Sequence, residues 1–198
     1  MKKYVISLVI LIFSFNTMAQ DNQTNNLPYE QIPEYPESYT ATNVVARMID
    51  GLGFRYYWAT EGLRPDDLAF KPNEEARTSE ETIDHILGLT EVILNSVLKR
   101  PNDGSFSSKG MSFEQKRAKT LNNLKQASGI LRSSDADLEE FTIIFKRGEK
   151  TSEYPFWNQI NGPIADALWH VGQVVSFRRS SGNPYNSKAS VFTGKLRN

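Results

Sequence analysis

Apolar residues between Thr42 and Pro65 recur every three or four positions, at Val45, Met48, Ile49, Leu52, Tyr56, Ala59 and Leu63. That is the spacing of one helix face turned toward a core. Thr42 or Asn43 is expected to cap this helix and Pro65 to stop it. A second stripe, Ile83, Ile86, Leu87, Ile93, Leu94 and Val97, predicts a helix from about Ser79 to Leu98. Thr78-Ser79-Glu80-Glu81 supplies a hydroxyl cap and places acids in the first turn, where the helix dipole favours negative charge. A third helix, Ser112 to Ser133, carries Phe113, Ala118, Leu121, Leu124, Ala127 and Leu131, with Gly129 weakening its end. Glu140 to Phe145 is β-branched and aromatic; with Arg147-Gly148 as a turn and Lys150 to Phe156 returning, it reads as a short hairpin. The fourth helix opens at Asn161-Gly162-Pro163, a cap followed by proline, and runs through Ile164, Ala167, Leu168, Val171, Val174 and Val175 to about Ser180. Gly182 and Pro184 stop it. The expected fold is mainly α, a four-helix bundle with a short β-hairpin before the last helix.

The ends of the chain read differently. Lys2 and Lys3 precede an almost unbroken apolar run from Tyr4 to Phe15, and Ala19 stands just before a polar stretch. A basic start, a short apolar run and a small residue at the cut describe a secretory signal peptide, residues 1–19. The run is short for a bilayer span, so an uncleaved anchor is the weaker reading and no stable membrane anchor is expected after cleavage. Residues 20–40 are rich in Asn, Gln, Glu and Pro and are expected to form a solvated linker; the lesser reading has Tyr29 and Tyr35 pin part of it to the domain. The bundle is then assigned to residues 41–184 and a C-terminal tail to 185–198. The expected location is outside the cytoplasm, periplasmic or secreted.

Composition removes several kinds of chemistry. The 198 residues include 23 Lys plus Arg, 23 Asp plus Glu and no cysteine. Loss of Lys2 and Lys3 with the signal peptide takes the formal charge from zero to −2. With no basic excess and no aromatic–basic platform, nucleic acid is not expected as a partner. Without cysteine there is no disulfide framework, no thiolate metal site and no cysteine nucleophile. No glycine-rich phosphate loop or Ser-His-Asp order is present.

Chemistry is therefore left to carboxylates, hydroxyls, aromatics and two histidines, His85 and His170. His85 lies at the edge of the second helix's apolar face. Asp166 and His170 are four residues apart on the last helix, so their side chains share a face about one turn from each other. If the second and fourth helices are neighbours, His85, Asp166 and His170 form a two-histidine, one-carboxylate set with open coordination positions. The plain structural reading stands beside it. A histidine on the margin of an amphipathic helix is ordinarily a satisfied polar residue, and an acid in a first helical turn is what the dipole prefers. Gln173 either bonds the ligand shell or packs in the core. Tyr57, Trp58 and Trp169 either wall a pocket or fill the core, and Glu61 and Glu81 are proton carriers or solvated acids. Arg178-Arg179 binds an anionic group or serves the helix C-terminus.

Several segments together resemble the DinB/YfiT-like family of metal-binding four-helix bundles. They are Phe54 to Leu63, Leu68 to Pro72, Ser79-Glu-Glu-Thr-Ile-Asp-His85-Ile, and Trp169-His170-Val-Gly172-Gln173 followed by Arg179 and Ser181-Gly182-Asn-Pro184. The resemblance implies a metal-binding histidine on the second helix and two on the last, spaced by four before a Gly-Gln pair. His85 matches the first and His170 the last, while the middle position holds Asp166, a departure that makes the site harder and richer in oxygen. The implied cofactor is a divalent transition metal, Zn, Ni, Mn or Fe. The implied activity is a metal-dependent hydrolase or thiol transferase acting on a small molecule, and the resemblance also implies a homodimer. The alternative is a non-catalytic exported bundle that binds a metal or ligand.

Overall fold

The computed structural model describes residues 27–198; the expected signal peptide and the first part of the linker lie outside the described residues. The first long helix, α1 (Ala41–Thr60), is capped by Thr40, whose hydroxyl accepts from the Asn43 N–H at 3.2 Å. The chain leaves it through Gly62, whose φ of +67° is the left-handed turn that glycine adopts freely. Pro65 therefore does not stop α1 but opens a five-residue helix, α2 (Pro65–Ala69), where its missing N–H costs nothing. The next helix, α3 (Ser79–Val97), starts with the expected box: Thr78 Oγ1 accepts from the Glu81 N–H at 3.1 Å, and Glu81 Oε2 accepts from the Thr78 N–H at 2.8 Å. Ser112 and Gln115 repeat that reciprocal pair at the start of α4 (Phe113–Arg132).

After a single tight turn at Leu138–Glu140, β1 (Ile143–Arg147) and β2 (Lys150–Tyr154) pair antiparallel, with Ile143 opposite Tyr154 and Arg147 opposite Lys150. The last helix departs from the expected start. A short turn, α5 (Trp157–Gln159), runs into a wide π-helical turn at Ile160–Ile164 and then into α6 (Ala165–Ser180). Asn161 caps nothing; Pro163 lacks the N–H needed to continue an α ladder, and Gly162 leaves helical geometry at φ −94°, ψ −108°. Beyond α6, β3 (Ala189–Ser190) and β4 (Lys195–Leu196) form a second small antiparallel pair. The fold is mainly helical with small antiparallel β elements.

Side-chain bonds fix how the four long helices run. Helices α1 and α3 each pack against both α4 and α6. Lys116 at the start of α4 reaches Glu80 at the start of α3, so these two run parallel. Arg117, beside it, donates from Nε to Thr60 Oγ1 at the end of α1 at 3.0 Å, so α1 and α4 are antiparallel. Arg178 near the end of α6 donates to carbonyls at the end of α1, so those two run together. The predicted stripes meet in the space between. Ile49, Leu52 and Tyr56 of α1, all six stripe residues of α3, Leu121, Leu124 and Leu131 of α4, and Ala167, Val171 and Val174 of α6 are buried.

The expected solvated linker is instead docked through its middle, from Leu27 to Ile32. Tyr29 is buried and donates its hydroxyl to Asp50 Oδ1 at 2.9 Å. Its ring lies where a side chain on Gly53 would be, only 2.4 Å from the position of a Cβ, so Gly53 makes the seat. Ile32 donates its N–H to the Gly194 carbonyl at 2.9 Å and joins Phe54, Trp58 and Ala189 in a second apolar cluster. The segment from Leu27 to Ile32 and the C-terminal tail are thus stitched to each other and to α1. Only Pro33 to Tyr39 remains largely exposed.

Candidate metal centre

Helices α3 and α6 pack together, and the contact brings His85 onto Asp166 and His170. Asp166 is in the first turn of α6, immediately after the wide turn that sets which face α6 presents. Its carboxylate lies between the two imidazoles: Oδ2 is 3.2 Å from His85 Nε2, and Oδ1 is 3.3 Å from His170 Nε2. The rings meet edge to face with centroids 4.6 Å apart. One donor atom from each residue falls within 4.8 Å of the others. Bonds of about 2.0–2.1 Å to a tetrahedral ion put neighbouring ligand atoms roughly 3.3–3.4 Å apart. The two carboxylate–imidazole edges have that length but run to different oxygens of Asp166, so an ion held by one oxygen would draw the two histidines together from within 4.8 Å.

The surroundings hold His170 more firmly than the other two. Its Nδ1 is 2.7 Å from Gln173 Oε1, one turn along α6. With that oxygen accepting, Nδ1 carries the proton and Nε2 keeps a free lone pair toward Asp166. The His170 side chain is 15% exposed, against 34% for His85 and 38% for Asp166. One side of the group is packed and the other faces solvent, leaving room for a further ligand. Trp169, next to His170 in α6, is 72% exposed.

Nearby acids are already engaged and do not compete as ligands. Asp84, adjacent to His85, faces the buried Lys116 ammonium at 3.0 Å, and Glu80 completes the pair at 3.0 Å. Burial opposes that charge, but bonds to the two carboxylates hold the lysine above its ordinary pKa. Glu81 is the capping-box partner of Thr78, whose backbone and side chain hold its carboxyl below the ordinary range. Glu61 pairs with Arg117. The hairpin does not reach the triad: it is anchored by Ser96 Oγ to the Phe141 carbonyl at 2.7 Å and by Asn102 to Ile144. Ser96 stands eleven residues beyond His85, about 16 Å along α3 at 1.5 Å per residue.

Two networks had no reading in the sequence. Arg178, considered above as an anion binder, is buried, and its Nη1 donates to the carbonyls of Trp58, Ala59 and Glu61 at 3.1, 3.0 and 2.9 Å. Its Nε donates to the Asn183 carbonyl at 2.7 Å, so it ties the ends of α1 and α6 together and is unavailable to a substrate. Asp67 of α2, fully buried, accepts from Arg64, Ser181 and Asn183 and locks the same corner. The second network is Asp50, Tyr29 and Arg132, where burial and the Asp50 carboxylate push the Tyr29 hydroxyl far above its ordinary pKa. The available signal was Asp50 itself, a carboxylate between the core residues Ile49 and Leu52.

No protein-family model, curated protein or solved structure matches this chain. Among the described residues, no helix is long and apolar enough to cross a membrane.

Proposed function

We propose that this protein is an exported four-helix bundle of the DinB/YfiT-like kind whose His85, Asp166 and His170 hold a divalent transition metal for catalysis on a small molecule. The observation that carries the proposal is the convergence of these three side chains, with both carboxylate–imidazole edges at 3.2–3.3 Å. Two imidazoles and a carboxylate suit Zn, Ni, Mn or Fe alike, and three protein ligands leave a position free, as catalytic sites do. A divalent ion there supplies Lewis acidity to an oxygen or sulfur donor, the requirement common to hydrolysis and thiol transfer. His170 keeps its Nε2 lone pair inward through the Gln173 bond. Asp166 contributes the negative charge that offsets the ion, and its partial exposure with His85 gives substrate access from solvent. Packing at His170 excludes water from the opposite side.

The deciding experiment is elemental analysis of residues 20–198 together with His85→Ala, Asp166→Ala and His170→Ala. About one equivalent of a transition metal is expected in the parent protein and a loss in each variant, with the helical circular dichroism retained. Unchanged occupancy in His170→Ala refutes the site. Metal bound stoichiometrically without turnover of ester, amide or thiol-acceptor substrates would retain the ion and withdraw the enzyme.

A further inference from the structure

On the side of α6 away from the triad, α1, α6 and the C-terminal segment border a half-open cavity of about 300 Å³. Phe54 and Trp58 of α1, Val171 and Val175 of α6, and Tyr185 and Ala189 of the tail make its walls. The volume is at the small end of the range of roughly 300–1,000 Å³ that ligand sites occupy. A largely apolar wall specifies an apolar body, and two further features indicate what that body carries.

The first is Gly172, which also lines the cavity. It sits in the middle of α6, is not among the glycines of positive φ, and a Cβ built on it meets nothing within 4 Å. Neither backbone nor packing requires glycine there, although glycine costs a helix interior about 1 kcal/mol relative to alanine. Gly172 is itself exposed, so its effect is to leave the mouth of the groove open along α6. The second is Arg55, on the cavity's edge and only partly exposed. Arg55 has no carboxylate within 4.0 Å among the described residues, a state it shares with Arg179 beside the same cavity. Arg55 Nη1 donates to the Gly51 carbonyl at 2.9 Å, leaving most of the guanidinium's five N–H groups uncommitted. Arg179 adds a second positive charge nearby, stacked 5.4 Å from the centroid of Tyr185.

We infer that this cavity binds a small apolar monocarboxylate, its hydrocarbon body between α1 and α6 and its carboxylate on Arg55. A guanidinium takes a carboxylate through two parallel N–H bonds, which sets the ligand's orientation, while Phe54, Trp58 and the valines remove the body from water. The site is separate from the metal centre and does not depend on it.

The test is a titration with decanoate, read by Trp58 fluorescence in a Trp157→Phe/Trp169→Phe background, with decan-1-ol as the uncharged control. Saturable binding of decanoate at least tenfold tighter than decanol is expected. Arg55→Gln should remove that preference while leaving decanol binding unchanged. Gly172→Leu should abolish binding of both, with metal content and helical signal retained, and Gly172→Ala should leave the fold intact. Ala189→Leu fills the cavity from the opposite wall, so the test stands if one variant fails to fold. Absence of saturable decanoate binding, equal affinity for decanol, or decanoate binding unaffected by the filling variants overturns the inference.

Discussion

Replacing Asp67 by asparagine tests the corner on which the ends of α1, α2 and α6 meet. Asp67 Oδ2 accepts from the Arg64 N–H at 2.7 Å, Arg64 Nε at 3.0 Å and Asn183 Nδ2 at 2.6 Å. Oδ1 accepts from Arg64 Nη2 at 2.8 Å and Ser181 Oγ at 2.5 Å. An amide of the same shape has one acceptor oxygen, so its NH₂ must confront donors whichever way it turns. The less costly orientation puts the NH₂ on the Oδ1 side, where the Ser181 hydroxyl can rotate to accept and the half-exposed Arg64 guanidinium can turn to water. What remains is the loss of the negative charge and of one charged bond, about 2–3 kcal/mol. For a chain of this size that is a fall in Tm of roughly 4–12 °C.

The effect has a defined pH dependence. The Arg64 guanidinium, then Ser181, the Arg64 backbone and Asn183, hold the Asp67 carboxyl well below its ordinary value of 3.8. The unfolded chain therefore takes up this proton before the native one does as pH falls. The stabilisation is full above the unfolded value and is lost as pH drops through the depressed native value. Urea melts of the parent protein and Asp67→Asn between pH 7 and pH 2 should show a gap of about 2–3 kcal/mol near neutrality that narrows steadily below about pH 4. A gap below about 1 kcal/mol at neutral pH, or one that widens on acidification, refutes this account of the corner.

Other side chains allow direct tests. Gln173→Leu removes the acceptor that holds His170, and a 10–100-fold loss of metal affinity in competition with a chromophoric chelator is expected, with little change in stability. Trp169 directly precedes His170 in α6, whereas Trp58 lines the cavity on the far side of that helix; adding Ni²⁺ to Trp157→Phe should quench emission in proportion to site filling, and Trp169→Phe should abolish that quenching. Gly53→Ala drives a Cβ into the Tyr29 ring, so a loss of about 2–3 kcal/mol and rapid protease cleavage between residues 27 and 40 should appear together in a limited digest.

Much of the helical framework was legible because it rests on local physics. The three- and four-residue spacing of Ile83, Ile86, Leu87, Ile93, Leu94 and Val97, with the Thr78–Glu81 box before it, specifies α3 to within a residue of Ser79–Val97. The Asp166–His170 spacing likewise placed both residues on one helix face without knowledge of the neighbours. Packing between segments far apart in sequence decided the rest. The separation of 81 positions between His85 and Asp166 carries no signal that Oδ2 and Nε2 will come within 3.2 Å; that depends on α3 and α6 being neighbours and on the wide turn before Ala165. The composition of residues 20–40 marked Tyr29 as a pin but not its seat, because that seat is an absence, the missing side chain of Gly53, and its bond partner is a carboxylate on another element. Arg178 reads alone as a surface cation, and only the convergence of two helix ends turns it into their shared clasp. Hydrophobic periodicity and capping are written in neighbouring residues, whereas a buried charge, a cavity or a ligand set is a property of elements that meet only once the chain has folded.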